Sequence, residues 1–172
     1  MAKTRKGVSY RRIDRPYTRK SKYRKLSYVR ASPNSKIVKY NMGDLSREFP
    51  VQVDLNVRES LQLRHNALES ARLTSNRTLE KTLGKKGFYL HLRVYPHHIL
   101  RENPLASGAG ADRMSTGMKN SFGKPIGIAA QVKEGQTILS AHVEKQHIET
   151  AKLALKKAQY KVPCKCQIIV RD

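Results

Sequence analysis

Twelve of the first thirty residues are Lys or Arg (Lys3, Arg5, Lys6, Arg11, Arg12, Arg15, Arg19, Lys20, Lys22, Arg24, Lys25 and Arg30), and the only acid among them is Asp14. Tyr10, Tyr17, Tyr23 and Tyr28 are threaded between these cations. Guanidinium forks suit bidentate contact with phosphate oxygens, and tyrosine rings stack on unpaired bases. Arg11, Arg12, Arg15, Arg19, Lys20, Arg24 and Lys25 are therefore candidate phosphate contacts, with Tyr17 and Tyr23 as candidate stacking groups. So charged a segment cannot bury enough apolar surface to offset the entropy of its own ordering. It is expected to order against a polyanion that neutralises it.

A second candidate lies at residues 101–125, which hold four of the chain's ten glycines (Gly108, Gly110, Gly117 and Gly123) and no apolar period. Gly108-Ala109-Gly110 lacks the third glycine of a dinucleotide motif, and no Gly-Lys-Ser/Thr follows it, so a nucleotide cradle is not indicated. Long aperiodic segments inside a compact domain are usually functional. The reading is a probe that enters a partner, with Arg101, Arg113, Lys119 and Lys124 as its cations and Gly108 and Gly110 permitting close backbone approach.

Metal and enzyme chemistry find little support. His97-His98 and Cys164-Lys165-Cys166 are the only ligand-like pairs, and a structural zinc site needs two pairs at wider spacing. Cys164 and Cys166 are expected as thiols at a strand start, with no bound metal or cofactor. His142 and His147 are expected as phosphate or surface contacts, and Arg64 and His65 as RNA contacts. The acids are few and scattered, so no nucleophile and base, and no carboxylate pair, stands out.

The whole chain has a formal charge of +22 over 172 residues and a sequence pI near 10.4, which favours a polyanionic partner. No apolar run approaches the ~18 residues of a spanning helix, and the basic start lacks the apolar stretch of a secretory signal. Two cysteines make no disulfide framework, which fits a reducing, intracellular compartment. Residues 1–36 read as a basic arm, and 37–172 as one α+β domain of ordinary single-core size.

Within that domain the expected elements are as follows. A short strand covers Ile37 to Met42, with a turn at Gly43-Asp44, and a second strand carries Val51, Val53 and Leu55. Asn56 and Glu59 resemble a capping box, so a helix is expected from Val57 through Leu61, Leu68 and Ala71, fading at Asn76 to Glu80. Phe88 to Tyr95 is the clearest strand, with Phe88, Leu90, Leu92 and Val94 on one face and Tyr89, His91, Arg93 and Tyr95 on the other. Ile126–Lys133 and Gln136–Val143 read as a hairpin about Glu134-Gly135. Ile148, Ala151, Leu155 and Ala158 mark a second helix, and Cys166 to Val170 a last strand. The expected fold is two helices on one face of a mixed, mostly antiparallel sheet of five or six strands.

Four blocks together resemble one family. They are Arg15-Pro16-Tyr17-Thr18-Arg19-Lys20; Pro50-Val51-Gln52-Val53 with Gln62 to Glu69; Arg101-Glu102-Asn103 with Gly108 to Arg113, Gly117-Met118 and Phe122 to Pro125; and Val162-Pro163-Cys164. The chain resembles the universal large-subunit ribosomal protein sixteen family in its archaeal and eukaryotic "ten-e" form. It ends at Asp172 without the long carboxyl-terminal extension of eukaryotic relatives, which points to the archaeal form. The resemblance implies an α/β-hammerhead sandwich, no catalytic activity and a cytoplasmic place in the large subunit. The implied partners are large-subunit ribosomal RNA, transfer RNA acceptor ends and neighbouring ribosomal proteins, without a membrane or an obligate homo-oligomer. The arm would thread between RNA helices, and the 101–125 loop would point toward the peptidyl-transferase centre. The rivals are a free RNA-binding maturation factor and a metal-dependent nuclease.

Overall fold

The structure is a computed structural model that describes residues 6–13, 23–26, 29, 32–103 and 123–171. Its strands are β1 (Asn41–Gly43), β2 (Val51–Val57), β3 (Leu61–Arg64), β4 (Tyr89–Leu92), β5 (His98–Glu102), β6 (Lys124–Val132), β7 (Thr137–Val143) and β8 (Cys166–Arg171). The helices are α1 (His65–Leu83) and α2 (Ile148–Gln159). Short 3-10 turns form at Gly7–Tyr10, Arg24–Leu26 and Lys145–His147.

The strands make two sheets, one of five strands in the order β1-β4-β7-β2-β8 and one of three in the order β3-β6-β5, and every pairing is antiparallel. Val51, Val53 and Leu55 pair with Val143, Ala141 and Leu139, and all six side chains enter a single core. Leu68, Ala71 and Leu79 of α1 and Ala151, Leu155 and Ala158 of α2 meet that core from the same side. Each buried Leu, Val or Phe contributes roughly 2 kcal/mol by its removal from water, so this apolar interior decides which face of each strand turns inward. The opposite face of the five-stranded sheet, with Gln52, Asp54, Tyr89, His91, Ser140 and His142, meets no helix among the described residues.

The α+β class, the second helix and the alternation from Phe88 to Val94 stand as read. Phe88, Leu90, Leu92 and Val94 are all buried, although the ladder itself is confined to Tyr89–Leu92.

Several local expectations do not hold. The expected helix start at Val57 is a pair of strands joined by a turn. Asn56 Oδ1 accepts a hydrogen bond from Thr137 Oγ1 at 2.9 Å, and Val57 pairs with Cys166, so the sheet claims the residues that resembled a capping box. Leu61 and Leu63 are then buried on β3, and α1 begins at His65 with no side-chain cap. At its other end α1 passes Asn76 and runs on to Leu83, stopped by Gly84 at φ +71.

The turn at Glu134-Gly135 exists, with Gly135 at φ +78, but the strands it joins are not a hairpin. β6 belongs to the three-stranded sheet, between β3 and β5, and β7 to the five-stranded one, between β4 and β2. The expected strand at Ile37–Met42 shrinks to β1, and β5 lies where only a loop was expected.

Candidate nucleic-acid interface

The three-stranded sheet gathers the described parts of both candidate regions. Gln62 on β3 donates its backbone N–H to Arg11 O at 2.8 Å, and its side-chain amide to Arg12 O at 2.7 Å and Tyr10 O at 3.3 Å. Arg64, at the end of β3, holds its guanidinium 5.7 Å from the centre of the Tyr10 ring. Residues 6–13 of the basic arm are thus fastened by the domain itself, where the sequence led us to expect order only against a polyanion. Their docking uses backbone carbonyls and one ring, so the Arg11 and Arg12 side chains stay exposed.

The root of the 101–125 segment is a β ladder. Arg101 pairs with Pro125, and Glu102 with Lys124. Gly123 closes it at φ +147, where an added Cβ would lie 2.8 Å from the Glu102 carbonyl carbon. The close approach and the positive φ both require glycine there. Ser9, Tyr10, Gln62, Leu100, Arg101 and Asn103 line one cavity of about 240 Å³, so arm and loop root converge.

The candidate residues distribute unevenly. Tyr23, Arg24 and Lys25 belong to or adjoin the short turn at Arg24–Leu26, with Tyr23 and Lys25 exposed. Arg15, Tyr17, Arg19 and Lys20 lie outside the described residues, as do Gly108, Gly110, Arg113 and Lys119. His65 is only 8% exposed. Its Nδ1 accepts the backbone N–H of Lys36 at 3.4 Å, which ties the end of the arm to the start of α1. Burial, then the nearby Lys36 and Arg64 charges, lower its pKa from 6.5, so the ring faces inward as a neutral acceptor.

The Cys164 and Cys166 sulfurs lie 3.5 Å apart. Their shared hydrogen bond pushes the Cys164 thiol up and draws the Cys166 thiol down. Among the described residues no group of three His, Cys, Asp or Glu side chains could hold a metal ion. Among them, too, no helix is long and apolar enough to cross a membrane.

Sequence reasoning passed over two positions. Gln62 is 3% exposed and anchors the arm, and the sign was a polar residue between two leucines. Arg72, 6% exposed, donates from Nη2 to Glu69 Oε1 at 2.5 Å, and from Nη1 to Met42 Sδ at 3.1 Å. That guanidinium holds the Glu69 carboxyl below its usual range. The i,i+3 spacing of Glu69 and Arg72 was the legible signal.

The fold defines a class: an α+β sandwich whose smaller sheet gathers the described part of a basic arm and the root of the 101–125 segment. Within that class, the family model described as ribosomal protein L16p/L10e matches residues 15–169, and the chain belongs to that family. A large ribosomal subunit protein uL16 from Methanococcus maripaludis is 49% identical over 162 residues, covering 94% of this chain and 90% of the relative. Its counterpart from Methanococcus aeolicus is 46% identical over the same shares. That from Archaeoglobus fulgidus is 44% identical over 94% of this chain and 89% of its own.

Proposed function

We propose that this chain is a structural constituent of the large ribosomal subunit. It binds ribosomal RNA without catalysing a reaction and helps position transfer RNA near the peptidyl-transferase centre. The observation that carries the reading is the alignment at 44–49% identity, across nine-tenths of the chain, to proteins named for the large subunit. In this reading Arg11, Arg12, Arg15, Arg19, Lys20, Arg24 and Lys25 neutralise phosphates, and Tyr17 and Tyr23 stack on bases. Arg64 and His65 set the angle at which the arm leaves the domain. Arg101 and Lys124 flank the exit of the loop, which carries Arg113 and Lys119 to the transfer RNA acceptor ends. The cytoplasmic ribosome is the place of action.

Two experiments test this. The protein is expected to co-sediment with large subunits through a high-salt wash, and its absence from washed subunits would refute the assignment. Residence only on immature subunits would make it a maturation factor. A Gly/Ser replacement of residues 105–120 is expected to enter the subunit and to slow translation or subunit completion. Normal rates of both would remove the loop's functional role.

A further inference from the structure

The open face of the five-stranded sheet carries an ordered set of polar groups. Register places Tyr89, His142, Gln52 and Arg171 in one row across β4, β7, β2 and β8. The next row holds Asn41, His91, Ser140, Asp54 and Ile169.

Asp54 is 1% exposed at the centre of this face. It accepts Ser140 Oγ–H at 2.5 Å and both Gln52 contacts at 2.8 and 2.9 Å, and pairs with Arg171 Nε at 3.2 Å. Ser140 Oγ in turn accepts Arg93 Nε–H at 2.5 Å. The buried network therefore grips both arginines by Nε. Their terminal nitrogens have no partner among the described residues, and the Arg171 side chain is 57% exposed. Two guanidiniums held in this way present outward pairs of donors whose ordering cost is already met by the fold. Beside them the Tyr89 ring stacks on His142 at 5.1 Å and 28°, and on His91 at 6.1 Å and 22°.

We propose that this face is a second RNA-binding site, which takes unpaired nucleotides: phosphate at Arg93 and Arg171, bases against the Tyr89, His91 and His142 rings. The proposal rests on the ribosomal reading above and adds a surface to it. The only acid on the described face is spent on Asp54's own network, so the outward charge is positive and complements a polyanion. The rings discriminate further. A duplex keeps its base faces stacked inside, whereas unpaired bases offer them to aromatic side chains. Neighbouring strands lie about 4.8 Å apart, so the row from Tyr89 to Arg171 spans about 14 Å, the reach of two or three nucleotides.

The test uses the full chain, labelled with nitrogen-15, and two probes: single-stranded octauridylate and an eight-base-pair RNA duplex. The expected result is saturable shifts of the His91, Ser140 and His142 amides with octauridylate and not with the duplex. Tyr89→Leu should weaken those shifts about tenfold, and Arg93→Gln should weaken them with a shallower loss as salt rises, because one phosphate contact fewer releases fewer counterions. Thermal melts confirm that each variant folds, and the unaltered chain decides if neither does. Shifts confined to the arm overturn the proposal.

A second measurement separates it from the ribosomal reading. Diethyl pyrocarbonate should modify His91 and His142 in the free protein and spare them in purified large subunits. Equal modification in subunits that contain the chain removes the sheet-face site and leaves the ribosomal assignment standing. Protection in subunits without any octauridylate response means that protein covers the face, and also overturns the proposal. Absence of the chain from subunits refutes the assignment itself, whatever octauridylate does.

Discussion

The Arg64 guanidinium lies over the Tyr10 ring, 5.7 Å from its centre, and so fastens the amino-terminal turn to the strand that launches α1. With the Gln62 bonds beside it, this contact gives the basic arm a fixed point of departure. A segment already held at a fixed point has less entropy to lose when it binds a partner.

Replacing Gln62 by Leu keeps the side chain buried and removes its bonds to the Arg12 and Tyr10 carbonyls. The lost hydrogen bonds should cost the docked segment about 1–3 kcal/mol. Trypsin should cut after Arg11 and Arg12 several-fold faster than in the unaltered protein, with little change in the melting of the core. Unchanged cleavage would show that the docking does not depend on Gln62.

Asp54→Ala should be the most damaging single change on the sheet's open face. It strands the Ser140 hydroxyl and the Gln52 amide and removes the partner of Arg171. The stranded groups are neutral and Arg171 stays solvated, so each unpaired buried donor costs about 1–3 kcal/mol. Chemical denaturation should report a loss of that order, and a loss below about 1 kcal/mol would mean that water satisfies the stranded groups.

Gly123→Ala forces a Cβ to within 2.8 Å of the Glu102 carbonyl carbon, at a φ that L side chains rarely adopt. The strain should cost about 1–3 kcal/mol and be felt locally. Amide exchange at Glu102 and Lys124 should quicken while β2 and β7 stay protected. If those two amides keep their protection, the loop root has an alternative path.

Acid should weaken the fold through its histidines. Burial, with nearby cations, lowers the pKa of His65, His91 and His142 below 6.5. Between those lowered values and ~6.5 the unfolded chain binds more protons than the folded one, so stability rises with pH across that window. It should be complete above about pH 7, and decline as pH falls below 6.5. The melting temperature should follow this course, and His65→Gln should flatten part of the slope. A melting temperature that rises on acidification to pH 5.5 would contradict it.

What the sequence determined by itself was chiefly what depends on local spacing or on sums. Net charge needs no fold. The stripe of Ala151, Leu155 and Ala158 repeats at helical spacing, and Phe88 to Val94 alternates so regularly that only one face can be buried. The positive φ of Gly135 follows from a turn written in two residues. The four blocks that carried the family resemblance are likewise read directly from the chain.

Tertiary structure decided whatever depends on a distant partner. Val57 to Arg64 holds apolar residues compatible with a helix or with strands, and the choice went to strands because Cys166 and Val132, remote in sequence, supply the pairing. The two strands about Gly135 look like a hairpin in isolation, yet each finds better partners in a different sheet. The site on the open face was hidden for the same reason. Arg93, Ser140, Asp54 and Arg171 are scattered over more than a hundred residues, and only the register of four strands brings them into one network. Local periodicity fixes which way a side chain points, but long-range hydrogen-bonded pairing fixes what it points toward.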